Sequence, residues 1–233
     1  MTNPVVLYHC FSARSFRVLW ALEELGVPYT LKLLPFPPRY LARDYLQINP
    51  LGTIPFFIDG ETQMTESSAI CHYLARRHSP SSLAVAADEP AYGAFLNWQY
   101  FADATLTVPQ TLVLRYSQLE PLERRQPDVV DAYAKWFIGR LKAVEIALEH
   151  SAYLCANRFT VADISVGYAF MLTKYTGLDG HLPPSIVAYW DRLVQRPACQ
   201  RALAIEQQAA KDAGIATASP SAQKIELRPR TAS

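Results

Sequence analysis

The segment Asn49 to Leu74, NPLGTIPFFIDGETQMTESSAICHYL, constrains the fold more than any other stretch of the chain. Pro55 opens the apolar run Phe56-Phe57-Ile58, Asp59-Gly60 signals a turn, and Glu66-Ser67 heads an amphipathic stretch. Proline has no N–H to give a sheet, so a strand that begins at Pro55 leaves the peptide group of Ile54 free to pair with an extended ligand. A helix that starts between Thr65 and Ser67 presents unpaired N–H groups that suit a carboxylate. One edge for an extended backbone and one pocket for an acid group together describe a small acidic peptide as ligand.

The flanking sequence supplies the elements such a segment needs. Val5 to Tyr8 reads as a strand, and Ser15 to Leu25 carries apolar residues at helical spacing until Gly26 ends the helix. Tyr29 to Leu34 is a second strand, and the prolines of LPFPPRY force a loop before a short helix near Tyr40 to Leu46. A hairpin from Pro55 to Thr65 and a helix to about His78 complete a βαβ-ββα order. Ser79-Pro80-Ser81-Ser82 marks a linker. Helical periodicities then run over about 89–117, 128–150, 161–175, 184–196 and 198–213, with a kink or break expected at Pro109. The fold class is therefore α/β plus all-α, with domains at 1–78 and 89–213, a linker at 79–88 and a flexible tail at 214–233.

Phe159-Thr160-Val161-Ala162-Asp163-Ile164 has the pattern of a capping box with a hydrophobic staple. Thr160 would cap through the backbone of Asp163, and Asp163 would reach back.

Composition narrows the function by exclusion. In 233 residues with 50% apolar content and a net charge of +1, nothing steers the chain toward nucleic acid. No apolar run approaches the ~18 residues of a membrane span, and Met1 to Pro4 lacks the basic start of a signal peptide, so a cytoplasmic protein is expected. Cys10, Cys71, Cys155 and Cys199 are scattered, as reduced thiols are, and no residue spacing suggests a metal site.

The segment opening at Asn49 resembles the second half of the thioredoxin-like domain of glutathione transferases, whose pattern runs NP-x-G-x-(I/V)-P, then D-G, then (E/Q)-S. The chain matches at Asn49-Pro50, Gly52, Ile54-Pro55, Asp59-Gly60 and Glu66-Ser67, and Thr160 to Ile164 resembles the (S/T)-x-A-D-I motif of the same family. The resemblance implies an N-terminal thioredoxin-like domain, a C-terminal helical bundle, glutathione as co-substrate, a small hydrophobic electrophile, a homodimer and a role in detoxification. It also implies that Pro55 is cis, that Ile54 pairs with the cysteinyl part of glutathione, and that Glu66 and Ser67 hold the γ-glutamyl end.

Glutathione chemistry needs a thiolate, which a hydroxyl donor and a helix N-terminus both favour. The turn His9-Cys10-Phe11-Ser12-Ala13-Arg14-Ser15 is where the family places that donor. Serine-type branches of theta and zeta kind put the active serine fourteen residues before the glycine that ends the first helix, which is Ser12 here. Ser12 to Val18 also resembles the zeta S-S-C-S-W-R-V, with Ala13 and Arg14 departing from it. Cys10 is an alternative, as the thiol of a glutathione-dependent disulfide reductase, and Ser15 is another, though a helix cap would also explain it. A noncatalytic binding protein of the same fold is the third reading. Arg14, Arg39 and Thr53 join the glutathione-binding candidates, Thr53 standing where relatives often carry Lys or Arg. Tyr100, Phe101, Arg115 and Tyr116 are candidates for the electrophile pocket.

Overall fold

The computed structural model describes residues 5–78, 81–217 and 225–227. β1 (Val5–His9) leads through a turn into α1 (Phe16–Leu25), and Gly26 ends α1 in the left-handed conformation with φ 62°. β2 (Tyr29–Leu33) returns parallel to β1, with Val5 opposite Tyr29 and His9 opposite Leu33. After α2 (Pro38–Leu41) and a 3₁₀ turn (Arg43–Gln47), β3 (Phe56–Asp59) runs antiparallel to β1 and pairs with β4 (Thr62–Met64). The sheet order is β2-β1-β3-β4, and α3 (Ser67–Arg77) closes the unit. This is the expected thioredoxin-like order.

α1 is buried on every side from Phe16 to Leu22, because α3 packs on it together with α7 (Val161–Thr176) and α9 (Pro197–Asp212) of the helical half. α7 is the central helix of that half, with α8 (Pro184–Val194) and α9 beyond it. A methyl group at Gly167 in α7 would meet Leu193 at 3.1 Å and Trp190 at 3.3 Å, so glycine allows the close approach of these helices. One hydrophobic cluster runs from Val5 in the sheet to Ala202 in α9. The two halves therefore share a core.

The long helix expected over 89–117 begins at Tyr92 and continues to Leu119 with changes of winding. α4 (Tyr92–Tyr100) passes into a π-helical stretch (Phe101–Thr107), then α5 (Val108–Leu114), then a second π stretch (Arg115–Leu119). Pro109 falls in the first turn of α5. There the missing N–H and the ring are absorbed by the wider π winding just before it, so the chain rewinds instead of breaking. α6 (Pro127–Leu148) comes next.

The box at Thr160 is present as expected, with the Thr160 side chain accepting from the Asp163 backbone and also from the Ala162 N–H, the latter at 3.2 Å. Asp163 Oδ2 accepts the Thr160 N–H at 2.8 Å, and Oδ1 accepts the Leu154 N–H at 3.0 Å and the Tyr189 hydroxyl at 2.6 Å. Burial pushes the Asp163 carboxyl upward against these bonds.

Ser79 and Pro80 of the expected linker lie outside the described residues. The chain just beyond them is docked: Leu83, Ala84 and Val85 are buried, and the Leu83 carbonyl accepts the Val161 N–H at 2.9 Å. Of the expected tail, residues 214–217 and 225–227 are described. Ile225 bonds to the Gly177 carbonyl at 3.2 Å and to His181 Nε2 at 2.8 Å, so this part lies against the helical half. No helix among the described residues is long and apolar enough to cross a membrane.

Candidate active site

The sheet register assembles one end of the N-terminal half. Tyr8 lies opposite Phe56, so the end of β1 stands beside the start of β3, and the Cys10 to Ser15 turn and Ile54-Pro55 share that end. α1 returns from the same end, and Arg17 in its first turn donates to the Ser67 hydroxyl at the start of α3 at 3.0 Å. Three segments separate in sequence thus come together at one end of the sheet.

The Ile54–Pro55 bond is cis. The peptide group of Ile54 makes no hydrogen bond to the described residues. Its loop is held from behind: the Thr53 carbonyl accepts Tyr45 Oη at 2.7 Å and Asn49 Nδ2 at 2.9 Å. Gly52 has φ 59°, and a methyl there would come within 2.8 Å of Leu46 and 2.9 Å of Arg39 Cβ. Asn49 and Gly52 of the motif therefore shape the loop, and Arg39, exposed at the surface, packs its stem on it. Glu66 is exposed and extended at the head of α3, and Ser67, the first residue of that helix, is buried.

Ser12 is buried and left-handed, with φ 53°. Each of its polar groups is held from the helical half. Its N–H donates to Glu206 Oε2 of α9 at 3.0 Å, its carbonyl accepts Tyr168 Oη of α7 at 3.3 Å, and its hydroxyl lies 2.5 Å from Tyr175 Oη of α7. A non-glycine residue in this conformation is uncommon, and here bonds from two helices fix it.

Ser15 is fully buried and engaged elsewhere. Its side chain makes no helix cap; its oxygen accepts the Cys10 N–H at 3.3 Å and lies 2.7 Å from His9 Nδ1. His9 Nε2 meets Glu206 Oε2 at 3.2 Å. Ser15 is thus tied to His9 and to the Cys10 amide inside the turn. Cys10 is fully buried, with its thiol 3.7 Å from the Pro35 carbonyl, and burial pushes it up to about 12. Such a group is a protonated thiol at neutral pH.

Arg17, fully buried, binds the two halves. Besides Ser67 it donates to the Ser165 carbonyl at 3.0 Å and to Thr107 Oγ1 at 2.8 Å, pairs with Asp103, and sits 4.8 Å from the Tyr168 ring centre. Burial pushes Asp103 upward, but the Arg17 charge and its hydrogen bond outweigh that and hold the carboxyl below its ordinary value.

The remaining candidates do not all converge. Arg14 donates to Thr111 Oγ1 of α5 at 2.8 Å. Tyr100, 73% exposed, and Phe101, packed on Trp98, stand at the junction of α4 and the first π stretch. Arg115 and Tyr116 lie about 20 Å further along the same helix, as its rise dictates. Arg115 pairs with Glu120 at 2.8 Å, and Tyr116 lines a cavity of about 280 Å³ with Ser117, Arg125, Pro127, Val130 and Ile225. The four therefore form no single pocket.

Sequence reasoning passed over His9, Arg17, Tyr168, Tyr175 and Glu206. Glu206 carried a signal: buried Ala198, Ala202 and Ala210 of α9 stand at intervals that put Glu206 on the same stripe. A lone acid on an apolar stripe announces a buried partner. No group of three or more metal-ligating side chains gathers among the described residues.

The fold is that of a two-part protein, a thioredoxin-like sheet domain and a helical domain packed on it. The glutathione S-transferase N-terminal domain family model matches residues 7–82. Glutathione S-transferase 3 of Schizosaccharomyces pombe is 26% identical over 210 residues, covering 84% of this chain and 85% of that protein. Glutathione S-transferase 4 of Zea mays is 29% identical over 216 residues, covering 86% and 93%. The structure of a sphingomonad glutathione S-transferase complexed with glutathione superposes with a TM-score of 0.76 at 25% identity, covering 87% of this chain and 98% of that one. Residues 7–82 thus match a glutathione S-transferase domain family, and most of the chain is similar to glutathione S-transferases.

Proposed function

We propose that this protein is a glutathione transferase of serine type. Glutathione pairs with the Ile54 backbone beside Pro55, its γ-glutamyl end rests at Glu66 and Ser67, and the Ser12 hydroxyl donates to its sulfur. The thiolate then adds to a hydrophobic electrophile. The observation that carries this reading is the gathering of the Ser12 turn, the unpaired Ile54 peptide and the start of α3 at one end of the sheet. The relatives' names and the glutathione complex of the sphingomonad protein support glutathione as the co-substrate.

Residues 1–78 serve as the glutathione-binding domain and 89–213 as the domain that closes over it. The family resemblance supports a homodimer, a cytoplasmic location and a detoxifying role. Titration calorimetry with reduced glutathione, followed by a spectrophotometric assay with a nitro-activated aryl halide, tests the proposal. Saturable binding and thioether formation are expected; absence of any binding heat would leave a noncatalytic protein of the same fold.

A further inference from the structure

The Ser12–Tyr175 contact holds two hydroxyl groups, hence two protons, and the described residues offer neither proton an acceptor other than the partner oxygen. One hydroxyl must donate to the other, and the second proton is then available to a ligand. The direction is set by chemistry. A phenol is the better donor and an aliphatic alcohol the better acceptor, so Tyr175 donates and Ser12 accepts. The backbone of Ser12 is already fixed by Glu206 and Tyr168, which leaves rotation about its Cα–Cβ bond as the freedom this contact removes.

We infer that Tyr175 is a positioning residue for thiolate formation, its hydroxyl donating to Ser12 Oγ and directing the Ser12 proton at the sulfur of glutathione. The inference rests on the reading of Ser12 as the thiolate donor. A chain of two hydroxyls ending on an anion polarises each link, so the Ser12 donation is stronger than that of an isolated serine. Tyr175 is suited to the task because it stays a neutral phenol: burial raises it most, the nearby Glu206 charge raises it further, and the bond to Ser12 opposes them only in part. Its backbone is held in turn, with the Tyr175 carbonyl accepting Gln118 Nε2 at 2.7 Å. The titratable groups facing the pair are Glu206 from α9, His9 behind that carboxylate, and Tyr168 about two turns back along α7.

The experiment compares the intact protein with Tyr175→Phe, Ser12→Ala and the double variant. Enzyme-bound glutathione is titrated by thiolate absorbance, its affinity is taken by calorimetry, and kcat/KM is measured across pH. Tyr175→Phe is expected to move the thiolate titration to higher pH and lower kcat/KM at neutral pH about three- to tenfold, without loss of glutathione affinity. The double variant is expected to match Ser12→Ala. A Tyr175→Phe variant that titrates like the intact protein, while Ser12→Ala shifts, overturns this inference and leaves the Ser12 reading standing. Additive effects overturn it too, because Tyr175 would then donate to sulfur on its own. If Ser12→Ala shifts nothing, the reading beneath it fails.

Discussion

The Arg17 guanidinium donates to the Ser67 hydroxyl at 3.0 Å and so ties the first turn of α1 to the first turn of α3. The same side chain pairs with Asp103 in the helical half and is wholly shielded from water. Removing Arg17 leaves the Asp103 carboxylate, 30% exposed, without its counter-charge, which costs up to about 3 kcal/mol, the low end for a buried pair. Arg17→Met is expected to lower the thermal midpoint by roughly 10 °C, read by circular dichroism. Glutathione affinity falls with it, because Ser67 loses the group that orients it.

The Asp103 partner makes a prediction in pH. Its carboxyl is held below the ordinary value, so the paired form adds stability above the unfolded value of about 4 and loses it as pH falls through the folded value. Denaturant titrations of the intact protein and Asp103→Asn are expected to differ most near neutral pH and to converge below about pH 4. A gap that widens on acidification contradicts the pairing.

How much of this was legible in the sequence depends on the range of each contact. Gly26, the Thr160 box and the NP-x-G-x-I-P loop are written in residues a few positions apart, and each could be read as local chemistry. The candidate donor Ser12 was legible only through the family resemblance, as the residue fourteen positions before Gly26. Its partners were not, because Tyr175 and Glu206 lie 163 and 194 positions away, and the apolar stripe that marks Glu206 as buried does not say which residue it meets. Arg17 was hidden for another reason. A charged residue on a helix reads as solvated, and only the packing of the second half onto α1 buries it. The π stretches were illegible because their winding depends on how the long helix accommodates its neighbours and Pro109, and no residue spacing encodes it.

Cys10 is the residue that would carry disulfide chemistry, and its burial sets it aside. Pushed up to about 12 and fully enclosed, it is expected to resist iodoacetamide at neutral pH and to react only as fast as the protein unfolds. Mass spectrometry after treatment with oxidised glutathione is expected to find no adduct on Cys10. An adduct formed in the folded protein, and lost in Cys10→Ser, would restore the reductase reading.

Asp163 accepts from four buried donors, the Leu154 and Thr160 amides and the Thr160 and Tyr189 hydroxyls. Asp163→Ala removes the acceptor from all four, and a buried donor left unpaired costs about 1 to 3 kcal/mol. A loss of at least ~3 kcal/mol in unfolding free energy is expected, with Asp163→Asn less damaging because its amide oxygen still accepts.

The central claim is that Ser12 converts bound glutathione into a thiolate, and titration of that thiol by its ultraviolet absorbance tests it most directly. In the intact protein the bound thiol is expected to ionise below the ~8.5 of an ordinary cysteine thiol. Ser12→Ala is expected to return the titration toward the free value and to lower turnover roughly 10- to 100-fold, with calorimetric affinity for glutathione unchanged. Identical thiol titrations in the intact protein and the Ser12→Ala variant would contradict the account.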